Sequence, residues 1–328
     1  MGGREPRPLP AGRVRDLSGE ADRPILVLGS TGFVGRTAVR HLRELGREVA
    51  GTSTSGEGAD LACDVREPGS AERAIRESAP GALLLTAGVA SVAHSWEDPG
   101  AVFRANTAGV FNVLEAVRRH APGCHVLFAS SAAVYGPPGP DQPMPYREAA
   151  PVNAVSPYAA SKAAAEVLCA QYARETGMPV TVCRIFNQVG PGQNAAQAPA
   201  EFSQAIAAAE LRGEDGLRLG VGDPAIERDF TDVRDTARAF ARLIDTGTTG
   251  TFNVCSGHGT SLARIVEVLA ANSPLAVEMV TEPDRARRAD ILSIYGSNER
   301  LAEAVGWRPK IGLERSLAEL LDDWRTRV

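Results

Sequence analysis

Short apolar runs alternate with helix-like segments through the first part of the chain, and this alternation limits the fold more than any other feature. Pro24–Leu28 (PILVL), Ala82–Thr86 (ALLLT) and His125–Ala129 (HVLFA) are three such runs. A continuous apolar run of this length predicts a strand that is buried on both faces. Strands that alternate with helices predict an α/β fold with a doubly wound parallel sheet.

The same pattern predicts the other elements of this unit. Further strands are predicted at Glu48–Thr52 and Pro179–Arg184, and helices at Phe33–Leu45, Ser70–Ser78, Ala101–His120 and Tyr158–Glu175.

The pattern changes after Gly190, where loops lengthen and glycine and proline cluster. We expect residues 24–190 to form the larger domain and residues 191–328 a smaller lobe. A strand at Thr251–Cys255 is expected to return to the larger domain. Shorter helices are predicted at Glu201–Leu211, Asp232–Asp245, Ser261–Ala270, Asn298–Ala304 and Leu313–Trp324.

The composition argues against several classes of function. A net charge of -5 leaves no basic surplus to neutralise phosphates, so nucleic acid is not an expected partner. The five cysteines form no CxxC pair and the five histidines lack metal-ligand spacing, so no metal site is expected. The cysteines instead resemble small buried hydrophobes of a reducing compartment. No apolar run approaches the roughly 18 to 20 residues of a membrane helix.

Residues 1–23 are rich in Arg, Pro and Gly and lack the apolar centre of a secretory signal. We expect a disordered extension there, with a regulatory arm as the alternative. A cytoplasmic location is therefore expected.

A glycine-rich turn, Gly29-Ser-Thr-Gly32-Phe-Val-Gly35, lies between the first predicted strand and the first predicted helix. A glycine pattern of this kind is typical of dinucleotide binding only when it follows a strand and precedes a helix, as it does here. Gly29 permits the tight turn, Gly32 lets the backbone approach a pyrophosphate, and Gly35 lets the helix pack closely on the strand. The N–H groups that open the helix attract phosphate. The turn predicts a dinucleotide site, and a glycine turn without a ligand is the alternative.

The end of the second predicted strand bears on which dinucleotide binds. An NAD site commonly places Asp or Glu there for the ribose 2′-OH, but this chain has Gly51-Thr-Ser-Thr-Ser55. The hydroxyls could donate to a 2′-phosphate, and Arg36 could pair with it. The sequence therefore favours NADP(H), with NAD(H) as the alternative. Asp64 is placed to accept from the adenine amino group or, equally, to cap its own loop.

Tyr158 and Lys162 lie four residues apart near the start of a predicted helix. Ser156 is expected as the N-cap and Pro157 as the first helical residue, which places Tyr158 and Lys162 on one helix face. A phenol with a pKa near 10 is a poor acid at neutral pH, but a lysine ammonium roughly 4–6 Å away favours the phenolate. The pair predicts a tyrosine acid/base and a lysine that also holds the nicotinamide ribose.

A serine pair follows the strand at His125–Ala129. Its second member, Ser131, lies at the carboxyl end of the predicted sheet, where open α/β folds bind ligands. Its hydroxyl could hydrogen-bond the reacting oxygen and share the proton with Tyr158. Surface residues would explain each pattern alone. Ser131, Tyr158 and Lys162 in this order after a glycine turn together indicate a catalytic group.

These motifs resemble the extended short-chain dehydrogenases/reductases over about residues 24–327. The resemblance implies that Ser131, Tyr158 and Lys162 are catalytic, and that residues 24–190 bind NADP. Leu85-Thr86-Ala87-Gly88 resembles the family's cofactor-contacting strand end. The cofactor contacts expected in all are Gly29, Thr31, Gly32, Phe33, Val34, Gly35, Arg36, Asp64, Val65, Thr86, Ala87, Gly88, Tyr158 and Lys162.

Segments of the smaller lobe resemble the nucleotide-sugar enzymes of this family. Residues 184–193 (RIFNQVGPGQ) resemble a segment whose Asn, here Asn187, contacts the sugar-linked phosphates. Residues 228–235 (RDFTDVRD) resemble one whose first Arg, here Arg228, pairs with the pyrophosphate. Alone, each arginine would be interpreted as a surface ion pair. The substrate contacts implied are Ser91, Ser131, Asn187, Arg228 and Arg287, and Asn106 matches a structural position.

Within the family, residues 91–96 and the two segments above resemble the reductases of GDP-4-keto-6-deoxy-D-mannose. The 4,6-dehydratases carry an acid just after the catalytic hydroxyl, whereas Ala132 and Ala133 follow Ser131 here, so dehydration is disfavoured. Reduction at C4 by NADPH is the expected reaction. The alternative is a 4-epimerase with tightly bound NAD, and a remote one is a non-catalytic NADP-binding sensor.

The family also implies a homodimer, formed through the helices predicted at Ala101–His120 and Tyr158–Glu175.

Overall fold

A seven-stranded parallel sheet lies at the centre of the computed structural model, which describes residues 23–139, 143–282 and 291–328. Numbered in chain order, the strands of this sheet are β1 (Ile25–Leu28), β2 (Val49–Ser53), β3 (Leu61–Ala62), β4 (Ala82–Leu85), β5 (His125–Ser131), β6 (Val180–Ile185) and β11 (Gly250–Val254). Their order across the sheet is β11-β6-β5-β4-β1-β2-β3, and every neighbouring pair is parallel. The predicted fold class is confirmed.

Helices connect these strands and continue through the smaller lobe. They are α1 (Phe33–Glu44), α2 (Pro68–Ser78), α3 (Val92–Glu97), α4 (Pro99–Phe103), α5 (Gly109–His120), α6 (Pro157–Thr176), α7 (Ala198–Leu211), α8 (Val233–Thr246), α9 (Leu262–Ala271), α10 (Glu299–Val305) and α11 (Leu313–Arg325). A π-helical turn at Arg104–Ala108 joins α4 to α5, so the long helix predicted here is interrupted. Such turns are frequent at functional sites.

Layers of helices cover both faces of the sheet because successive side chains of a strand point to opposite faces. Leu26 and Leu28 of β1 pack in the core formed with α2, α5 and α6. Ile25 and Val27 pack in a second core, which includes Leu42 of α1 and residues of α8 and α10. The continuous apolar strands of the sequence are therefore buried on both sides.

The smaller lobe has a core of its own, which includes Phe202, Ile206, Leu269 and Leu320. Seven strands in the described part of it were not predicted; five of them are only two or three residues long, which is too few to give a pattern. They are β7 (Asn187–Val189) with β10 (Phe230–Asp232), β8 (Gly216–Val221) with β13 (Ala276–Thr281), and β9 (Glu227–Arg228) with β12 (Thr260–Ser261) and β14 (Ser293–Ile294).

Strand β11 lies beside β6 at the edge of the main sheet, at the position expected for Thr251–Cys255. The predicted extension falls almost wholly outside the described residues, which begin at Arg23. Among the described helices, none combines the length and the apolar character that crossing a bilayer requires.

Candidate active site

The glycine turn brings three backbone segments into contact. Gly29 has a φ of +87°, and a Cβ there would lie 2.7 Å from the backbone nitrogen of Ala87. A Cβ on Gly35 would overlap the carbonyl oxygen of Gly29 and lie 2.8 Å from Oγ1 of Thr86. A Cβ on Gly32 would meet only the Gly29 carbonyl oxygen, at 3.4 Å. The first and third glycines are thus needed for packing, and the second leaves the turn open to a ligand.

Two further observations fit a dinucleotide at this turn. Gly32 is the N-cap of α1 and offers no side-chain hydrogen bond to the first turn, so the N–H groups there are left for a phosphate. At the end of β2, Oγ1 of Thr52 is buried without a hydrogen-bond partner in the described part of the chain. The glycines would hold the pyrophosphate and the β2 end the adenosine ribose.

Two predicted cofactor contacts with charged side chains, Arg36 and Asp64, have protein partners for those charges. The Arg36 guanidinium donates to the carbonyl oxygen of Gly192, and burial lowers its pKa, with Arg327 acting in the same direction. Asp64 accepts from the backbone nitrogen of Arg66 at 3.0 Å and from its guanidinium at 2.6 Å, which lowers the Asp64 pKa. Asp64 therefore caps its own loop, as the alternative interpretation expected, and its contact with adenine stays a prediction.

The predicted catalytic side chains meet at the carboxyl end of β5. Ser156 caps α6 by accepting from the backbone nitrogen of Ala159 at 3.1 Å, which starts the helix as predicted. Ser131 is the last residue of β5; its hydroxyl accepts from the backbone nitrogen of Ala133 at 3.2 Å and lies close enough to the Tyr158 phenol to lower the pKa of that group. Lys162 Nζ donates to the carbonyl oxygen of Ala129 at 2.9 Å. The three side chains thus lie within one small region.

Burial dominates the electrostatics of this group. Burial raises the pKa of Tyr158, and the nearby Ser131 hydroxyl opposes the rise. It lowers the pKa of Lys162 to about 8, and the charge of Glu166 opposes that change. The phenol is therefore protonated at neutral pH and able to donate its proton, while the lysine titrates close to neutral pH. A direct effect of Lys162 on the phenol stays a prediction.

Asn106 ties the loop after β4 to the catalytic helix. Its amide accepts from the backbone nitrogen of Val89 and donates to the carbonyl oxygen of the same residue, both at 2.9 Å, and donates to the Ser161 hydroxyl at 3.0 Å. Gly88 lies beside it, with a φ of +152°, and a Cβ there would be 3.9 Å from Lys162 Nζ. The π-helical turn thus carries the side chain that joins this loop to α6, and the contact of Gly88 with the cofactor stays a prediction.

Apart from Ser131, the predicted substrate contacts that the structure describes are at the start of α3 and on short strands outside the main sheet. Ser91 is the N-cap of α3, its hydroxyl accepting from the backbone nitrogen of His94 at 3.1 Å. Asn187 begins β7, directly after β6. The Arg228 guanidinium donates to the carbonyl oxygens of Glu227 and Ile291, at 2.7 and 2.9 Å, so its charge is held by backbone oxygens. Arg287 lies outside the described residues.

Sequence analysis missed the residues behind Lys162. Phe128 lies under its ammonium group, with Nζ 4.9 Å from the ring centroid, and Glu166 occupies the next turn of α6. The spacing of Glu166, four residues after Lys162, was the available signal. In the ranges that the structure covers, no group of three or more His, Cys, Asp or Glu side chains could hold a metal ion.

Comparison with known families matches residues 25–255, more than half of the chain, to the NAD dependent epimerase/dehydratase family. A relative from Pseudomonas aeruginosa, GDP-6-deoxy-D-mannose reductase, is 36% identical over 250 residues, which cover 76% of this chain and 82% of the relative.

Solved structures extend the similarity to nearly the whole chain. The structure of RMD from Pseudomonas aeruginosa complexed with NADPH has a TM-score of 0.84 and 33% identity, and the match covers 93% of this chain and 100% of that one. UDP-glucose 4-epimerase of Thermus thermophilus, in complex with NAD, has a TM-score of 0.82 and 30% identity, with coverage of 93% and 100%. The resemblance stated from the motifs is thereby confirmed, and the chain belongs to the NAD dependent epimerase/dehydratase family of extended short-chain dehydrogenases/reductases.

Proposed function

We propose that the protein reduces the C4 keto group of a nucleotide-activated 4-keto-6-deoxyhexose with NADPH, and that GDP-4-keto-6-deoxy-D-mannose is its substrate. The arrangement of Ser131, Tyr158 and Lys162 carries this proposal, since it places a neutral phenol and a buried lysine at the carboxyl end of β5 and no dehydratase acid follows Ser131. The GDP-6-deoxy-D-mannose reductase relative supports the choice of sugar.

Each side chain has a defined part in this reaction. Bound NADPH would supply the hydride. Tyr158 donates its phenolic proton to the alkoxide that develops at C4, and Ser131 hydrogen-bonds the same oxygen. Lys162 supplies the positive charge next to both hydroxyls and holds the nicotinamide ribose. Asn187, Arg228 and Arg287 are the proposed contacts of the nucleotide phosphates.

The prediction of NADP(H), with NAD(H) as the alternative, agrees with the relatives. The RMD structure holds NADPH, and the Thermus epimerase structure holds NAD. Positions 51–55 hold no carboxylate, so the sequence of that strand end favours the 2′-phosphate; the carboxylate that contacts β2 is that of Asp60, which accepts from the backbone nitrogen of Gly51 at 2.6 Å.

The deciding experiment incubates the purified protein with NADPH and GDP-4-keto-6-deoxy-D-mannose and follows the cofactor absorbance and the sugar product. A reductase consumes one NADPH for each 4-hydroxy sugar formed. The similarity to the Thermus enzyme supports an epimerase as the alternative. An epimerase returns the hydride to the sugar. A protein that purifies with NAD⁺ and equilibrates two nucleotide hexoses with no net change in cofactor would establish the epimerase instead.

Replacing Arg36 with alanine is expected to narrow the preference for NADPH over NADH. A charge-assisted hydrogen bond to the 2′-phosphate contributes about 1.5–3 kcal/mol, which corresponds to roughly 10- to 150-fold in the NADPH Kd. Binding of NADH should change little. Titration of both cofactors measures this directly. An equal loss for both would show that Arg36 acts only through Gly192.

The protein is expected to form a homodimer through α4, α5 and α6. Phe103, Phe111 and Val167 are exposed apolar side chains on these helices. Phe111→Arg should therefore yield a monomer by light scattering at micromolar concentration, because a charge would be buried in the interface. Leu211→Arg is the control, since Leu211 is an exposed apolar residue of α7. An unmodified protein that is already monomeric would contradict this prediction.

A further inference from the structure

A buried carboxylate lies one helical turn behind the catalytic lysine. Glu166 follows Lys162 by four residues and Tyr158 by eight, which places the three on one side of α6. Its oxygens accept from the Ser130 hydroxyl at 2.5 Å and from Nη2 of Arg184 at 2.7 Å. Nε of Arg184 donates to both oxygens, at 3.1 and 3.2 Å. Glu166 is therefore held by β5 and β6 together.

Arg184, the partner of Glu166, is itself fixed in place. Its side chain is 1% exposed, and Nη1 donates to the carbonyl oxygen of Glu148 at 3.2 Å. The guanidinium lies 4.7 Å from the ring centroid of Tyr135, whose hydroxyl donates to Asn253 at 2.6 Å. These bonds leave the carboxylate of Glu166 little freedom to move.

The hydrogen bonds of Glu166 connect the catalytic helix α6 to the neighbour of Ser131 on β5. Ser130 precedes Ser131 on β5, and Lys162 donates to Ala129 on the same strand. The pair of Glu166 with Arg184 therefore sets how α6 lies against β5, and with it the positions of Tyr158 and Lys162 relative to Ser131.

We propose that Glu166 is a positioning residue that holds the catalytic helix against β5 and β6 and supplies the negative charge that keeps Lys162 protonated. The catalytic part of this inference rests on the proposed function. The electrostatic part does not, and it can be measured without a substrate.

The charges that face Lys162 give the direction of the effect. On α6 the titratable groups that act on Lys162 are Glu166, whose carboxylate is ion-paired, and Cys169, whose thiol pKa is raised by burial; Arg184 and Tyr135 interact with Glu166 from β6 and from the turn after β5. Burial lowers the Lys162 pKa to about 8, and Glu166 opposes the fall. Without the Glu166 charge the pKa of Lys162 should fall further, so the ammonium form is lost at a lower pH.

The composition of the chain makes this pKa directly observable. Lys162 and Lys310 are its only lysines, and Lys310 is exposed. Protein labelled with ¹³C at the lysine Cε should give two NMR signals whose shifts follow the two titrations. In Glu166→Gln the Lys162 midpoint is expected to move down by about 1 pH unit or more, while the Lys310 signal is unaffected.

A matched control and a second variant complete the experiment. Asp232 is also a buried carboxylate that accepts from an arginine, Arg234, and from a serine hydroxyl, Ser316, so Asp232→Asn should leave the Lys162 titration unchanged. If Glu166→Gln leaves Arg184 unpaired and does not fold, the double variant with Arg184→Met removes both charges, and the Lys162 midpoint should still fall. An unchanged midpoint in the folded variants would overturn the inference.

Turnover separates this inference from the proposed function. With the proposed substrate, the alkaline limb of kcat/KM in Glu166→Gln should move in the same direction as the NMR midpoint. A protein that shows the NMR shift but never reduces the keto sugar would refute the function and keep the electrostatic role of Glu166.

Discussion

Tyr158→Phe is expected to lower kcat by about 10²–10⁴-fold while NADP(H) still binds, because the phenol is proposed as the proton donor to the developing alkoxide. The ring stays in its buried position on α6, and only the hydroxyl next to Ser131 is lost. Steady-state kinetics with the keto sugar and a separate titration of NADPH measure the two quantities.

Tyr172→Phe provides the matched control. Tyr172 lies on the same helix, is also buried, and donates to Glu115 at 2.5 Å, away from Ser131. Loss of the Tyr172 hydroxyl and its hydrogen bond should lower the free energy of unfolding by about 1 kcal/mol and leave turnover nearly unchanged. Near-normal turnover in Tyr158→Phe would remove Tyr158 from the proposed mechanism.

Gly35→Ala is expected to weaken NADPH binding by about 5- to 150-fold, because overpacking of a tight contact costs about 1–3 kcal/mol. The new Cβ would overlap the carbonyl oxygen of Gly29, so the turn and the start of α1 must move apart. The N–H groups that are proposed to bind the pyrophosphate would then be displaced. Fluorescence titration with NADPH measures the change.

Gly69→Ala controls for the effect of an added methyl group on a helix. Gly69 lies in the first turn of α2, and a Cβ there would meet nothing within 4 Å. This variant should bind NADPH as the unmodified protein does. If Gly35→Ala binds equally well, the assignment of the glycine turn as the pyrophosphate site is wrong.

The fold could be predicted because its signals are local. The apolar runs of β1, β4 and β5, the glycine turn and the Ser156 cap each act within a few residues, and each formed where expected. The very short strands of the smaller lobe could not be predicted. Strands of two or three residues such as β7 and β9 exist only because a distant strand pairs with them.

The sequence by itself determined the fold class, the glycine turn and the spacing of Tyr158 and Lys162, since each follows from backbone geometry over one strand or one helical turn. Only the tertiary structure decided the partners of the charged side chains. Arg36 reaches Gly192 and Glu166 reaches Arg184 across 156 and 18 residues, respectively. A long side chain can satisfy its charge with any group within its reach, and that group is known only once the strands and helices have packed.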